Sequence, residues 1–210
     1  MATELLNLRE SVSYWGDIEK AALALLSGKI VAFPTETLYG IGVNANDSAA
    51  TNCLYKVKQR PESKKLAIMI AEPDDVTKYV KEIPPIARIL IKSFWPGPLT
   101  IVFALPDNKS IGFRNSSNRV VRDLIKFAKV EIASTSANIS GKIPATDAQQ
   151  VITNFGDKID VVLDDGPTQF KTPSTVVKIM DDKFEIIRHG VIEEERINRC
   201  LDENCLSFRS

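Results

Sequence analysis

The chain predicts a mixed α/β sheet in one domain. Apolar strand-like runs alternate with helical patterns early, and two adjacent β runs late in the chain predict a hairpin around Asp181-Asp182. In addition, two of the strands finish in hydroxyl- and amide-rich runs: Pro34-Thr35-Glu36-Thr37-Leu38-Tyr39-Gly40 and Thr135-Ser136-Ala137-Asn138-Ile139-Ser140-Gly141. Open α/β sheets bind polar ligands at such strand ends.

Asp17 caps a helix whose apolar positions Ile18, Ala21, Ala22, Leu25 and Leu26 recur at helical spacing, and Gly28 stops it. Residues 29–33 read as a buried strand closed by Pro34. Asn46-Asp47 caps a second helix to about Lys58, with Ala50, Cys53, Leu54 and Val57 on one face. Residues 66–71 form a short apolar strand. Pro73 and Pro85 stand where first helical turns begin, predicting helices near 73–80 and 85–93. The rigid turn Phe94-Trp95-Pro96-Gly97-Pro98 feeds a strand over 99–105. A strand at 111–114, a helix at 118–128 and a strand at 130–134 follow. A helix at 147–155, a strand at 159–163 and a turn-rich loop at 164–172 come next. Residues 174–179 and 184–188 make the hairpin, and a short helix starts near Val191. No linker, repeat or low-complexity tract divides residues 1–210; the motif-bearing core runs from about 15 to 192, with a tail at 193–210.

A chain of 210 residues with 44% apolar and 26% charged residues has ordinary globular usage. No apolar run approaches the roughly 20 residues that span a bilayer, and the first residues lack a signal pattern. The three cysteines, Cys53, Cys200 and Cys205, have neither a disulfide framework nor CxxC spacing, so a reducing cytoplasm is the expected setting. Twenty-seven basic residues balance 27 acidic ones, where a dedicated nucleic-acid binder would carry a basic excess. Yet Lys56, Lys58, Arg60, Lys64 and Lys65 cluster with only Glu62 against them, while Glu193, Glu194 and Glu195 sit in the tail. A local patch on a neutral chain favours a small anionic ligand.

Two readings of that patch stand. Arginine forks and mobile lysines can hold a triphosphate, or the same residues are a solvated helix face with cations drawn to its C-terminus. Thr35, Thr37 and Tyr39, like Ser136, Asn138 and Ser140, are singly explained by turn chemistry; together they suggest one polar pocket. Pro173-Ser174-Thr175 leads into a strand whose partner ends at Arg188. His189, the only histidine, reads as a solvated loop residue, Phe94 and Trp95 as a structural corner, and Met69 as core. There is no GxxxxGK[ST] loop, no GxSxG and no close His/Asp/Glu cluster, so a metal would be magnesium arriving with a phosphate ligand.

The runs at 34–40, Lys58-Gln59-Arg60-Pro61, Trp95-Pro96-Gly97-Pro98-Leu99-Thr100, Ser136-Ala137-Asn138-Ile139-Ser140-Gly141 and Pro173-Ser174-Thr175-Val176-Val177, in this order, resemble the YrdC-like threonylcarbamoyl-AMP synthases. The resemblance implies a short single-domain form and a twisted α/β sheet enclosing a large, positively lined cavity. It implies condensation of L-threonine, bicarbonate and ATP to threonylcarbamoyl-adenylate and pyrophosphate. A separate transferase would then use the product to modify tRNA. By motif position, Thr37, Arg114, Ser136 and Ser174 would meet threonine. Lys58, Arg60, Lys64, Asn138, Thr146 and Arg188 would meet ATP, with Lys58, Arg60 and Ser136 as the catalytic set. The chain departs from the family where some members have a histidine in place of Met69, and where Asn115-Ser116 replace a Val-Pro pair after Arg114. Two rivals follow: a non-catalytic binder of double-stranded RNA or tRNA, and a paralogue using another amino acid or carbamoyl donor.

Overall fold

The computed structural model describes residues 2–180 and 183–207, so the predicted Asp181-Asp182 turn lies outside the described residues. Among them, ten strands form one sheet. In chain order they are β1 (Glu4–Asn7), β2 (Val31–Phe33), β3 (Gly40–Asn44), β4 (Ala67–Met69), β5 (Leu99–Leu105), β6 (Lys109–Arg114), β7 (Ile132–Ser136), β8 (Val161–Asp164), β9 (Thr175–Met180) and β10 (Lys183–Arg188). The α-helices are α1 (Tyr14–Leu26), α2 (Ser48–Val57), α3 (Pro85–Phe94), α4 (Arg119–Ala128), α5 (Ala148–Phe155) and α6 (Glu194–Ser207). The spatial order is β1-β8-β2-β3-β7-β4-β6-β5-β9-β10. Parallel pairs (β1 with β8, β8 with β2, β4 with β6, β5 with β9) interleave with antiparallel ones, as the alternation of strands and helices predicts.

Period-two alternation sorts side chains to opposite faces of a sheet. In β2, Val31 and Phe33 join Ile18 and Leu25 of α1 and Val121 and Leu124 of α4. Ala32 points the other way, into a cluster with Ile41, Val43, Leu54 of α2 and Phe155 of α5. A third cluster gathers Ile101, Phe103, Phe113, Val177 and Ile179 under Leu90 of α3 and Ile197 of α6. Each such fully buried side chain contributes about 1.5–3 kcal/mol. The tail thus packs through α6 against the body, with Ile192 and Ile197 buried.

Several elements differ from expectation. α1 begins a turn earlier, capped by Ser13, whose Oγ accepts from the Gly16 amide at 3.1 Å; Asp17 lies inside its first turn. Ser13 offers an equally short acceptor, and starting there packs Tyr14 against the core. Leu26 is exposed, as is Cys53; the buried face of α2 is Ala50 and Leu54. Residues 73–78 form a 3-10 helix. Strand β7 runs to Ser136, two residues past the expected end, because β3 pairs along it from Asn44↔Ile132 to Gly40↔Ser136. The run at 34–40 therefore connects two antiparallel strands, β2 and β3, where a strand–loop–helix unit was expected.

Candidate active site

A cleft of about 730 Å³ lies on one face of the sheet. Its floor is read by alternation: Thr100 and Val102 of β5, Ser110, Gly112 and Arg114 of β6, Val176 and Lys178 of β9, Ala67 and Met69 of β4, and Ser134 and Ser136 of β7. The intervening residues Ile101, Phe103, Phe113, Val177 and Ile179 fill the core on the opposite face. The charged lining residues are Arg60, Lys64, Lys65, Arg114, Lys178 and Arg188, and among the described residues no carboxylate lines the cleft. A neutral chain thus presents a locally cationic surface here.

The run at 34–40 and β7 meet directly. The Ala137 amide donates to the Tyr39 carbonyl at 2.8 Å, and Gly40 is in register with Ser136. Thr35 and Thr37 are both buried. Thr35 Oγ1 donates to the Leu38 carbonyl at 2.6 Å and lies 2.9 Å from Thr37 Oγ1. With the Thr35 proton committed, the bond between the two hydroxyls is donated by Thr37 to Thr35 Oγ1. Arg114 Nη2 donates to Thr37 Oγ1 at 2.7 Å and pairs with Glu36 Oε1 at 3.1 Å.

Across the floor, Arg188 is anchored on Ser174. Its Nε and Nη2 donate to the Ser174 carbonyl at 3.1 and 2.8 Å, and Nη2 to Ser174 Oγ at 3.0 Å. Thr100 Oγ1 lies 3.0 Å from Ser174 Oγ on the other side. Arg188 stays solvent-accessible because the cleft is open, yet the walls crowd it: burial first, then the facing charges of Arg114 and Arg60, hold it below the ordinary arginine range. Arg60 is likewise lowered by burial. It clasps the loop after α2, donating through Nε to the Lys64 carbonyl at 2.7 Å and through Nη2 to the Lys65 carbonyl at 2.9 Å. Three guanidinium groups around one cleft, two of them close enough to lower the third, make a site suited to a multiply charged anion.

Lys58 lies apart from the other residues expected to meet phosphates. It does not line the cleft but is 1% exposed, and its Nζ donates to the Ser136 carbonyl and to Asn138 Oδ1 at 3.4 Å. The Ser140 amide returns a bond to the Lys58 carbonyl at 3.0 Å. Lys58 thus ties the turn after β7 to the end of α2, while Arg60, two residues on, faces the cleft. Burial, then the Arg60 charge, pushes the Lys58 amine down to about 7. Above that pH the folded chain holds Lys58 neutral, whereas the unfolded chain keeps it charged to about 10.5. Unfolding then takes up a proton, so stability rises with pH across this window, by up to roughly 1.4 kcal/mol per pH unit. Urea unfolding of wild type and Lys58→Met between pH 7 and 10 should diverge by that slope; parallel curves would refute it.

Thr37, Arg60, Lys64, Arg114, Ser136, Ser174 and Arg188 all line the one cleft. Asn138 is behind it, accepting from Ser136 Oγ at 2.7 Å and donating to the Ile139 and Lys142 carbonyls at 2.9 and 2.7 Å. Thr146 is not among the lining residues; its hydroxyl bonds Gln150 Oε1 at 3.3 Å. Met69, read as core, is 3% exposed and also forms part of the floor. Thr100, Lys178, Glu36 and Ser116 were missed. For Thr100 and Lys178 a signal was present: each is a polar residue inside an otherwise apolar strand run, Leu-Thr-Ile-Val-Phe-Ala-Leu in β5 and Thr-Val-Val-Lys-Ile-Met in β9. Among the described residues, no three His, Cys, Asp or Glu side chains come together as metal ligands. No helix there is long and apolar enough to cross a membrane.

A cleft floored by one face of a mixed sheet, with cations and hydroxyls converging on it, defines an α/β protein with a cationic cleft. The chain belongs to the Sua5/YciO/YrdC family, whose model, described as "Telomere recombination", matches residues 23–190. The threonylcarbamoyl-AMP synthase of Pyrococcus abyssi is 36% identical over 212 residues, covering 96% of this chain and 62% of that protein. The threonylcarbamoyl-AMP synthase of Bacillus subtilis is 35% identical over 194 residues, covering 88% of this chain and 56% of that one. The crystal structure of P. abyssi Sua5 complexed with L-threonine superposes with a TM-score of 0.89 at 36% identity, covering 94% of this chain and 61% of that chain. This chain spans about three fifths of the length of these relatives.

Proposed function

We propose that the chain makes threonylcarbamoyl-adenylate from L-threonine, bicarbonate and ATP, releasing pyrophosphate. The carrying observation is that Arg60 and Lys64, suited to phosphates, share one cleft with Thr37 and Arg114, suited to an amino acid. Its volume of about 730 Å³ falls within the range of ligand pockets.

In this reading the neutral threonine amine attacks the carbon of bicarbonate, giving a carbamate and water. A carbamate oxygen then attacks the α-phosphorus of ATP, and pyrophosphate leaves. Positioning and charge neutralisation would supply the rate. Arg114 would take the threonine carboxylate and Thr37 and Ser136 its polar atoms, with Ser174 beside them. Arg60, Lys64 and Arg188 would neutralise the triphosphate. Lys58 and Asn138 would act indirectly, by holding the turn that carries Ser136; Thr146 would reach the nucleotide only beyond the cleft wall. A cleft whose charged lining is all cationic does not suit a resident metal, so magnesium would enter as part of the ATP substrate. The product would pass to a separate transferase acting on tRNA, in the cytoplasm.

Mass-spectrometric detection of the adenylate after mixing the chain with ATP, magnesium, bicarbonate and threonine tests this. The adenylate should form only when threonine is present. Adenylate made with a different amino acid would establish the paralogue instead. A salt-sensitive shift of double-stranded RNA with no ATP cleavage would leave the binder.

A further inference from the structure

Glu36 is 4% exposed and does not line the cleft. A carboxylate so enclosed needs a hydrogen-bond donor for each oxygen. Arg114 Nη2 serves Oε1 at 3.1 Å, and the Ser116 hydroxyl serves Oε2. The direction of that second bond is settled by geometry. Ser116 Oγ already accepts from the Asn118 amide at 3.2 Å, so its single proton goes to Glu36. Asn118 in turn caps α4, its Oδ1 accepting from Val120 at 2.9 Å. Hydrogen bonds therefore link the helix cap through Ser116 to Glu36, whose carboxylate accepts from Ser116 on one side and from Arg114 on the other.

The far end of that linkage is specific. Among the described residues, all the side-chain hydrogen bonds of Arg114 fall on Nη2, to Glu36, to Thr37 Oγ1 at 2.7 Å and to Thr35 Oγ1 at 3.4 Å. Its Nε is buried with no partner. The guanidinium is thus held by one nitrogen and keeps unused donors beside the cleft. A long arginine side chain loses considerable rotamer freedom when fixed, and fixing it before the ligand arrives tightens binding.

We propose that Ser116 is a positioning residue for amino-acid recognition: through Glu36 it sets the Arg114 guanidinium in place to receive the substrate carboxylate. This rests on the reading of Arg114 under the proposed function. Without the Ser116 hydroxyl, one Glu36 oxygen has no donor, and the carboxylate turns to recover one, drawing Arg114 off its place. The ligand class affected is the α-carboxylate of the amino acid, and the nucleotide contacts at Arg60 are left as they are.

The test is calorimetric titration of L-threonine and ATP into wild type, Ser116→Ala, Glu36→Gln and Arg114→Ala, with L-threoninol, which lacks the carboxylate, as control ligand. Ser116→Ala should weaken threonine binding about ten-fold, leave ATP binding within about two-fold, and narrow the preference for threonine over threoninol. Glu36→Gln should do the same, and the two changes together should be less than additive. Unchanged threonine affinity in Ser116→Ala overturns the proposal, as does an equal loss for threonine and ATP. If Ser116→Ala does not fold, unchanged threonine affinity in Glu36→Gln overturns it. Wild-type threonine affinity in Arg114→Ala would instead sink the underlying assignment of the carboxylate to Arg114.

Discussion

Arg60→Ala should lower pyrophosphate release by about 100-fold or more. Removing one pre-oriented charged donor from a site of developing anionic charge costs about 2.7–4 kcal/mol, or 10²–10³ in rate. Arg60 meets that description, being half-buried at the cleft wall with its guanidinium fixed on the Lys64 and Lys65 carbonyls. Partial burial strengthens its field, because less water intervenes between it and a triphosphate. The same two bonds shape the loop carrying Lys64, so a neutral side chain loses the cation and loosens its neighbour. Arg60→Lys should recover only part of the activity, keeping charge without the fork. Threonine affinity should change little. A coupled pyrophosphate assay checks this, and wild-type turnover in Arg60→Ala would remove Arg60 from the phosphate site.

The second large effect is expected from a residue that touches no substrate. A methyl group added at Gly190 would lie 2.3 Å from the Pro173 carbonyl oxygen and 2.4 Å from both the Ser174 carbonyl carbon and the Thr175 nitrogen. These are backbone atoms, and they are tied in place. The Val191 amide donates to the Pro173 carbonyl at 3.0 Å, and Thr175 Oγ1 donates to the Ile192 carbonyl at 2.6 Å while accepting from its amide at 2.9 Å. Gly190→Ala must therefore push the two segments apart, at a cost of about 1–3 kcal/mol or more. In a chain of this size that lowers the thermal midpoint by roughly 2–12 °C. The displaced segment carries Ser174, on which Arg188 is anchored, so ATP affinity should fall as well. An unchanged midpoint with wild-type ATP affinity would show that the approach is relaxed.

Most of the helices were legible in sequence because caps and apolar spacing are local. Asp47, Asn118 and Asp147 each accept a first-turn amide as their positions predict. The strand β3 was not legible. Its sequence Gly-Ile-Gly-Val-Asn opens on a residue that reads as a turn. What requires glycine at position 40 is the Phe33 ring, 2.7 Å from any added Cβ, and that contact exists only once β2 and β3 are paired. The edge strand β1 offered only two adjacent apolar residues, and its pairing with β8 lies more than 150 residues away in sequence. The hydroxyl runs were visible, but their junction at Tyr39 and Ala137 was a matter of inference until the sheet brought them together.

Lys58 and Arg60 show where local reading ends. Both stand at the close of one helix, in a cluster of cations, and nothing local distinguishes them. The turn at 136–140 folds over one and leaves the other at the cleft, so one becomes an internal tie and the other a candidate phosphate ligand. Similarly, Asn115 and Ser116 follow a strand end in an apparently open position, yet both are 0% exposed, with Asn115 Nδ2 bonded to the Ile70 and Ala71 carbonyls at 3.0 and 2.8 Å.

From sequence alone came the α/β class, most helix positions and the residue types from which a cleft for an anion and an amino acid is made, since spacing, caps and side-chain chemistry are properties of neighbours along the chain. Tertiary structure decided which face of β5, β6 and β9 is wet, which cation is buried and which hydroxyl supports Glu36. Those depend on what packs opposite each residue, and the partner in every case comes from a distant segment.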